Sequence, residues 1–253
     1  LAWTRIAFAT VFLIRTTPLI RAIEPSLGFD VQPLLGWPRG PGLSAAVFGW
    51  ALPIAVIKVL CVVRTVFALA FLIGWRPLWA GLGCGLSAYV VMLQEVFSFT
   101  FTQHLLFLGI AVLATTDCAA VLAVRPEAPR SPRTSQLVVL ALIVSVYFWA
   151  GVAKLRRDWI DGRTLGLFYA EGKLRGGLAD LLLGTTTRRS IAASVVALTE
   201  LSLGPLLWFR RTRWHGLALA LGLHVTIEPM GHPDVIGWAM LALLLSLVPL
   251  EGD

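Results

Sequence analysis

Charge is scarce in this chain. Only 14% of its 253 residues are Asp, Glu, Lys or Arg, against 57% that are hydrophobic, and the mean hydropathy is +0.81. A soluble protein of this length needs far more polar surface, so the composition excludes one and fits a polytopic membrane protein. Cysteine is scarce too. Cys61, Cys84 and Cys118 all fall in apolar segments without CxxC spacing, which argues against a disulfide framework and leaves them as small buried hydrophobes. Acids are outnumbered 14 to 21 by Lys and Arg. The arginines sit in short loops between apolar runs, and no basic stripe with interleaved aromatics occurs, so no nucleic-acid partner is expected. GxSxG, Walker, HExxH and dinucleotide motifs are absent, which leaves hydrolase, nucleotide-driven and nicotinamide-dependent chemistry without support. The opening residues show no n-region or small-residue cleavage site, so no removable signal peptide is expected. Internal repeats and low-complexity tracts are also missing.

What the chain has in abundance is apolar runs and, with ten of them, Trp, a residue suited to the headgroup boundary. Runs of about 20 apolar residues match a hydrocarbon core of about 30 Å. Eight candidates lie at 3–20, 50–74, 77–99, 104–123, 135–157, 190–208, 214–230 and 234–250. The expected fold is therefore an all-α, polytopic helical bundle of about eight transmembrane helices, one domain over 1–253 with no soluble domain. The connection 158–189 is the longest between charged ends, and its "GLADLLLG" reads as a short helix lying on or dipping into the membrane. Arginine placement puts both termini in the cytoplasm, with 158–189 on the outer side.

That topology assigns depths to the ionisable residues within the runs. Arg15, Lys58, Glu95, His104, Lys154, His224 and Glu228 fall in the outer half, and Glu200 lies near the middle. Each costs several kcal/mol unless paired or hydrated, so their concentration on one side predicts a polar cavity opening outward. Lys154 either snorkels to the interface or is held inside. Tyr147, Gly151 and Lys154 share one helix face, with Gly151 permitting close packing, and a desolvated lysine can serve as a general base. His224 and Glu228 are four apart on one face, so the carboxylate can orient the imidazole. A metal would need more ligands than this pair, with His232 and Glu95 the obvious additions, and none is expected. Glu95 and Glu200 read as structural acids neutralising basic side chains, with Arg5, Arg15 and Arg64 as expected partners.

The stretch "VYFWAGVAKLRRDWIDG" resembles the HTTM domain, the membrane part of vitamin K-dependent gamma-carboxylase and its bacterial relatives. Tyr147, Phe148, Ala150, Gly151, Lys154, Leu155, Asp158, Trp159 and Gly162 match its fifth-span motif, while Ala153 stands where a second lysine is common. In order along the chain, "LAWTRIAFATVFLIR" with Arg5, "FTQHLLFLGIAVL", "ALTELSLGPLLWF" through Glu200 and "ALGLHVTIEPM" are similar to other helices of the family. The resemblance implies Lys154 as the catalytic base, His104 and His224 as supporting catalytic residues, and reduced vitamin K or another quinone-like lipid as cofactor. Tyr147, Gly151, Trp159, Glu228, Arg15, Lys58 and Glu95 are expected to line the substrate and lipid site. It further implies a carboxylase- or epoxidase-like subunit of the bacterial cytoplasmic membrane, its site facing outward. A soluble or membrane partner would supply a secreted peptide substrate. A non-catalytic accessory for production of a secreted peptide, as in the SdpB-type family, is the alternative, and a small transporter fits less well because no inverted repeat appears.

The topology has a direct check. Cysteines introduced at Ser131 and Thr212 should be protected from impermeant thiol reagents in intact cells, and one at Gly172 should be labelled. The reverse pattern would invert every depth assigned above.

Overall fold

The computed structural model describes residues 1–16, 52–93, 101–129, 131–231 and 235–248. The described elements are helical: α1 (Ala2–Thr16), α2 (Ile54–Ile73), α3 (Pro77–Met92), α4 (Phe101–Ala114), α5 (Pro132–Ala153), α6 (Arg157–Ile160), α7 (Arg163–Ala170), α8 (Gly177–Leu183), α9 (Thr186–Trp208), α10 (Arg213–Ile227) and α11 (Val235–Leu244), which runs into a 3₁₀ turn at Leu245–Leu247. Each of the eight apolar runs carries one of these helices. Three are long and apolar enough to cross a membrane, at Ala55–Ile73, Pro132–Ala153 and Thr186–Trp208. The others are shorter, and local chemistry shows why in one case. The run from 104 to 123 breaks at Thr115 and Thr116, whose hydroxyls donate back to the carbonyls of Val112 and Leu113 at 2.8 and 2.6 Å. Such back-bonding competes with the helix ladder, and α4 stops at Ala114.

The described chain divides into two compact units, one reaching Val138 and one spanning Val139–Leu247. In the first, α1 packs on α2 and α4, α2 on α3, and α3 on α4. Gly81 and Gly85, four apart, form the face of α3 that meets α4. A Cβ on Gly81 would strike the Ala114 side chain and lie 2.9 Å from the Ile110 carbonyl, and one on Gly85 would lie 3.0 Å from that of Phe107. Only glycine lets two backbones approach so closely. The α2–α3 turn follows from its residues. Gly74, at φ 73°, ends α2, with Trp75 N–H donating to the Ala70 carbonyl at 2.9 Å, and Pro77 opens α3.

Two arginines lie fully buried in this unit. Arg5 Nη1 donates to the Cys118 carbonyl at 2.7 Å and Nη2 to that of Leu122, while Arg64 Nη2 donates to the Thr16 carbonyl at 3.0 Å. Both are expected from the sequence as partners of Glu95 or Glu200. They are instead tied to backbone oxygens at points where the helix ladder ends.

In the second unit α10 packs on α9, α11 on α10, and the three short helices α6–α8 on α9. "GLADLLLG" is helical as read, at Gly177–Leu183, but α6 and α7 make most of the remaining connection helical too. Leu165, Ala179, Leu183, Ala193 and Met230 form its core. Tyr169 O–H donates to Asp180 at 2.7 Å, tying α7 to α8 and raising the phenol above its usual pKa. Arg175 N–H donates to the Met230 carbonyl at 2.6 Å, which fastens the connection to the end of α10.

Replacing Arg5 by Met should leave the buried Cys118 carbonyl and the partly buried Leu122 carbonyl without this donor, at a cost of about 2 kcal/mol. Thermal unfolding in detergent should show the loss. An unchanged melting temperature would mean that those carbonyls find other donors.

Candidate functional site

The site is built on the last turns of α5. Tyr147 and Gly151 lie on one face of that helix, and Lys154 follows at its exit, its own N–H still bonded to the Gly151 carbonyl at 3.0 Å. Gly151 sets the geometry. A Cβ there would lie 3.0 Å from the Leu201 amide nitrogen and 2.8 Å from Leu201 Cγ, so the two backbones meet at the residue next to Glu200. Lys154 can therefore reach across, and its Nζ lies 2.7 Å from Glu200 Oε2. The same ammonium is 3.4 Å from the Ala150 carbonyl, the length of a weak hydrogen bond, and 5.2 Å from the centre of the Trp159 ring. Trp159 is itself held by Nε1–H donating to the Ala193 carbonyl at 3.2 Å.

These distances decide between the two readings of Lys154. A snorkelling lysine would extend to the interface and stay largely exposed. Here the lysine side chain is 21% exposed and that of Glu200 11%. Two charges removed this far from water each carry a desolvation cost of several kcal/mol, which their mutual attraction offsets only in close geometry. Lys154 is held inside, and its partner is Glu200. Of the arginines expected in that role, Arg5 and Arg64 are bonded to backbone carbonyls and Arg15 is exposed.

A second polar pair lies in the same unit. Tyr147 O–H and His224 Nε2 are 2.9 Å apart, both side chains buried. Glu228 follows His224 by one helical turn, its N–H bonded to the His224 carbonyl at 2.9 Å. Gly237 of α11 closes this corner. A Cβ on it would overlap Glu228 Oε1 and lie 3.3 Å from His224 Nδ1. The carboxylate, the imidazole and the phenol are thus gathered by α10, α11 and α5.

The remaining expected site residues belong to the first unit or lie outside the described residues. His104 belongs to the first unit, where its Nδ1 lies 3.1 Å from Tyr89 O–H. Arg15 and Lys58 are exposed on α1 and α2. Glu95 and His232 lie outside the described residues. Among the described residues no group of three or more His, Cys, Asp and Glu could hold a metal ion. Sequence reasoning missed three features: Glu200 as the specific partner of Lys154, Tyr89 as that of His104, and Gly237. The first two are contacts between helices, which periodicity does not encode, and Gly237 carries no motif.

Long apolar helices and a largely buried ion pair between the end of α5 and α9 define a helical membrane protein with a charged site. The chain belongs to the HTTM domain family, whose model matches residues 43–250. No curated protein and no solved structure matches it. The family match agrees with the resemblance drawn from residues 147–162 and covers every second-unit residue discussed above.

Gly237→Ala tests the corner at Glu228. The added methyl has no room unless the carboxylate moves, and overpacking of this kind costs about 1–3 kcal/mol. The melting temperature should fall accordingly. An unshifted value would show that Glu228 can turn away without loss.

Proposed function

We propose that this protein is a bacterial carboxylase-like membrane protein with a site for a reduced quinone-like lipid, Lys154 acting as its general base. The observation that carries the reading is the buried Lys154–Glu200 pair beside the Trp159 ring. A base that must act on a weakly acidic hydroxyl needs a low-dielectric setting and a fixed position, and this pair has both. The residues fit a polar aromatic head. Trp159 offers a ring face, Lys154 a cation, and Tyr147 with His224 neutral donors and acceptors. No metal is needed for this donor set. Such a lipid, when bound, supplies an acidic hydroxyl and redox chemistry that no side chain of the chain provides.

In this account Lys154 Nζ takes a proton from the bound hydroxyl, and Trp159 and the apolar helices exclude water. Tyr147 and His224 orient the head, with Glu228 behind His224. The site faces the outer side of the bacterial cytoplasmic membrane, and a partner protein presents the secreted peptide substrate.

Lys154→Arg separates base from counter-ion. Arginine keeps the charge opposite Glu200 but does not give up its proton at working pH. Oxygen-dependent epoxidation of a reduced quinone by the purified protein should be lost in Lys154→Arg, with thermal stability close to wild type. Lys154→Ala should lose both, because it strands Glu200 at a cost of about 3–5 kcal/mol. Absence of turnover in wild type, with Lys154→Arg still supporting the cellular function, would favour a non-catalytic accessory of peptide production.

A further inference from the structure

We infer that Glu200 is the acceptor of the proton that Lys154 removes, so that Lys154 relays the proton and remains an ammonium. The inference rests on the base reading of Lys154 but concerns a residue that reading leaves as structural. Its ground is a difficulty in the geometry. The Lys154 ammonium has an acceptor or partner in three directions: Glu200 Oε2 at 2.7 Å, the Ala150 carbonyl at 3.4 Å and the Trp159 ring at 5.2 Å. An ammonium held on those three sides has no lone pair to offer and cannot itself take a proton.

The contact with Glu200 resolves this. One N–H bond of Lys154 breaks as an O–H bond forms on Glu200 Oε2, and Lys154 Nζ then takes a proton from the ligand hydroxyl. The ammonium is restored, Glu200 is neutral, and the negative charge has moved from the carboxylate to the ligand oxygen. One positive and one negative charge are present before and after. No new charge is created in the apolar interior, where creating one costs most. A neutral lysine acting alone would have to create both.

Few other groups compete for the proton. Tyr147 on α5 is within electrostatic reach of Glu200, and it is engaged with His224 of α10. On α6 and the turn before it, Arg156 and Asp158 pair with each other at 3.5 Å and are exposed. Glu200 acts through Lys154 and is a positioning residue in that sense.

The test avoids turnover. 1,4-Naphthohydroquinone is added under argon to the purified full-length chain in detergent. Binding is followed by the absorbance of the probe's anion, and Glu200 by the infrared carbonyl stretch of a protonated carboxyl group. In wild type both signals should rise together. In Glu200→Gln the carboxyl band should vanish, and the pH midpoint of anion formation should rise by about 1 unit or more, the size of shift a lost charge partner produces. Glu200→Asp should restore part of both, which a merely structural role would not do, and it keeps the test open if Glu200→Gln folds poorly. Anion formation in wild type without the carboxyl band overturns the inference while sparing Lys154 as base. Failure of wild type to bind the probe or form its anion overturns both.

Discussion

The ion pair between Lys154 and Glu200 constrains everything around it. Opposite charges inside an apolar protein are tolerated only where each is close to the other, and 2.7 Å is that close. The distance in turn demands that α5 and α9 touch, which Gly151 permits by presenting no side chain to Leu201. It demands that the chain turn sharply after Ala153, so that Trp159 returns to cover the ammonium and is anchored on α9 through Ala193. The motif residues that look separate along the chain, Gly151, Lys154 and Trp159, are thus parts of one solution to the cost of burying a charge.

The Tyr147–His224 contact is of a different kind. It is a single hydrogen bond between neutral-capable groups, buried and short, with Glu228 one turn away and Gly237 leaving room for its carboxylate. Because Tyr147 shares its helix face with Gly151, one helix carries both a charged and a neutral polar centre. The short helices between α5 and α9 pack around Leu165, Ala179 and Leu183 and are fastened to Met230 at the end of α10.

Much of this was legible in the sequence because it depends on local spacing. The apolar runs mark where helices lie, "GLADLLLG" is helical, and the spacing of Tyr147 and Gly151 places them on one face of α5, although the helix ends at Ala153, one residue short of Lys154. The identity of Lys154's partner was not legible. Glu95 and Glu200 had Arg5, Arg15 and Arg64 as candidates, and nothing in a one-dimensional pattern shows that Arg5 and Arg64 are taken up by carbonyls at Cys118, Leu122 and Thr16. Helix length was only partly legible, since an apolar run tells nothing of hydroxyls that bond back to their own backbone, as Thr115 and Thr116 do. Gly237 was invisible because its role lies in what it lacks opposite Glu228.

A density map of the purified protein in lipid nanodiscs tests the central claim most directly. The account predicts the Lys154 ammonium in contact with Glu200, and the head of an elongated lipid lying against that pair and the Trp159 ring. A map in which Lys154 extends into the headgroup region, with Glu200 paired to some other group, would contradict it.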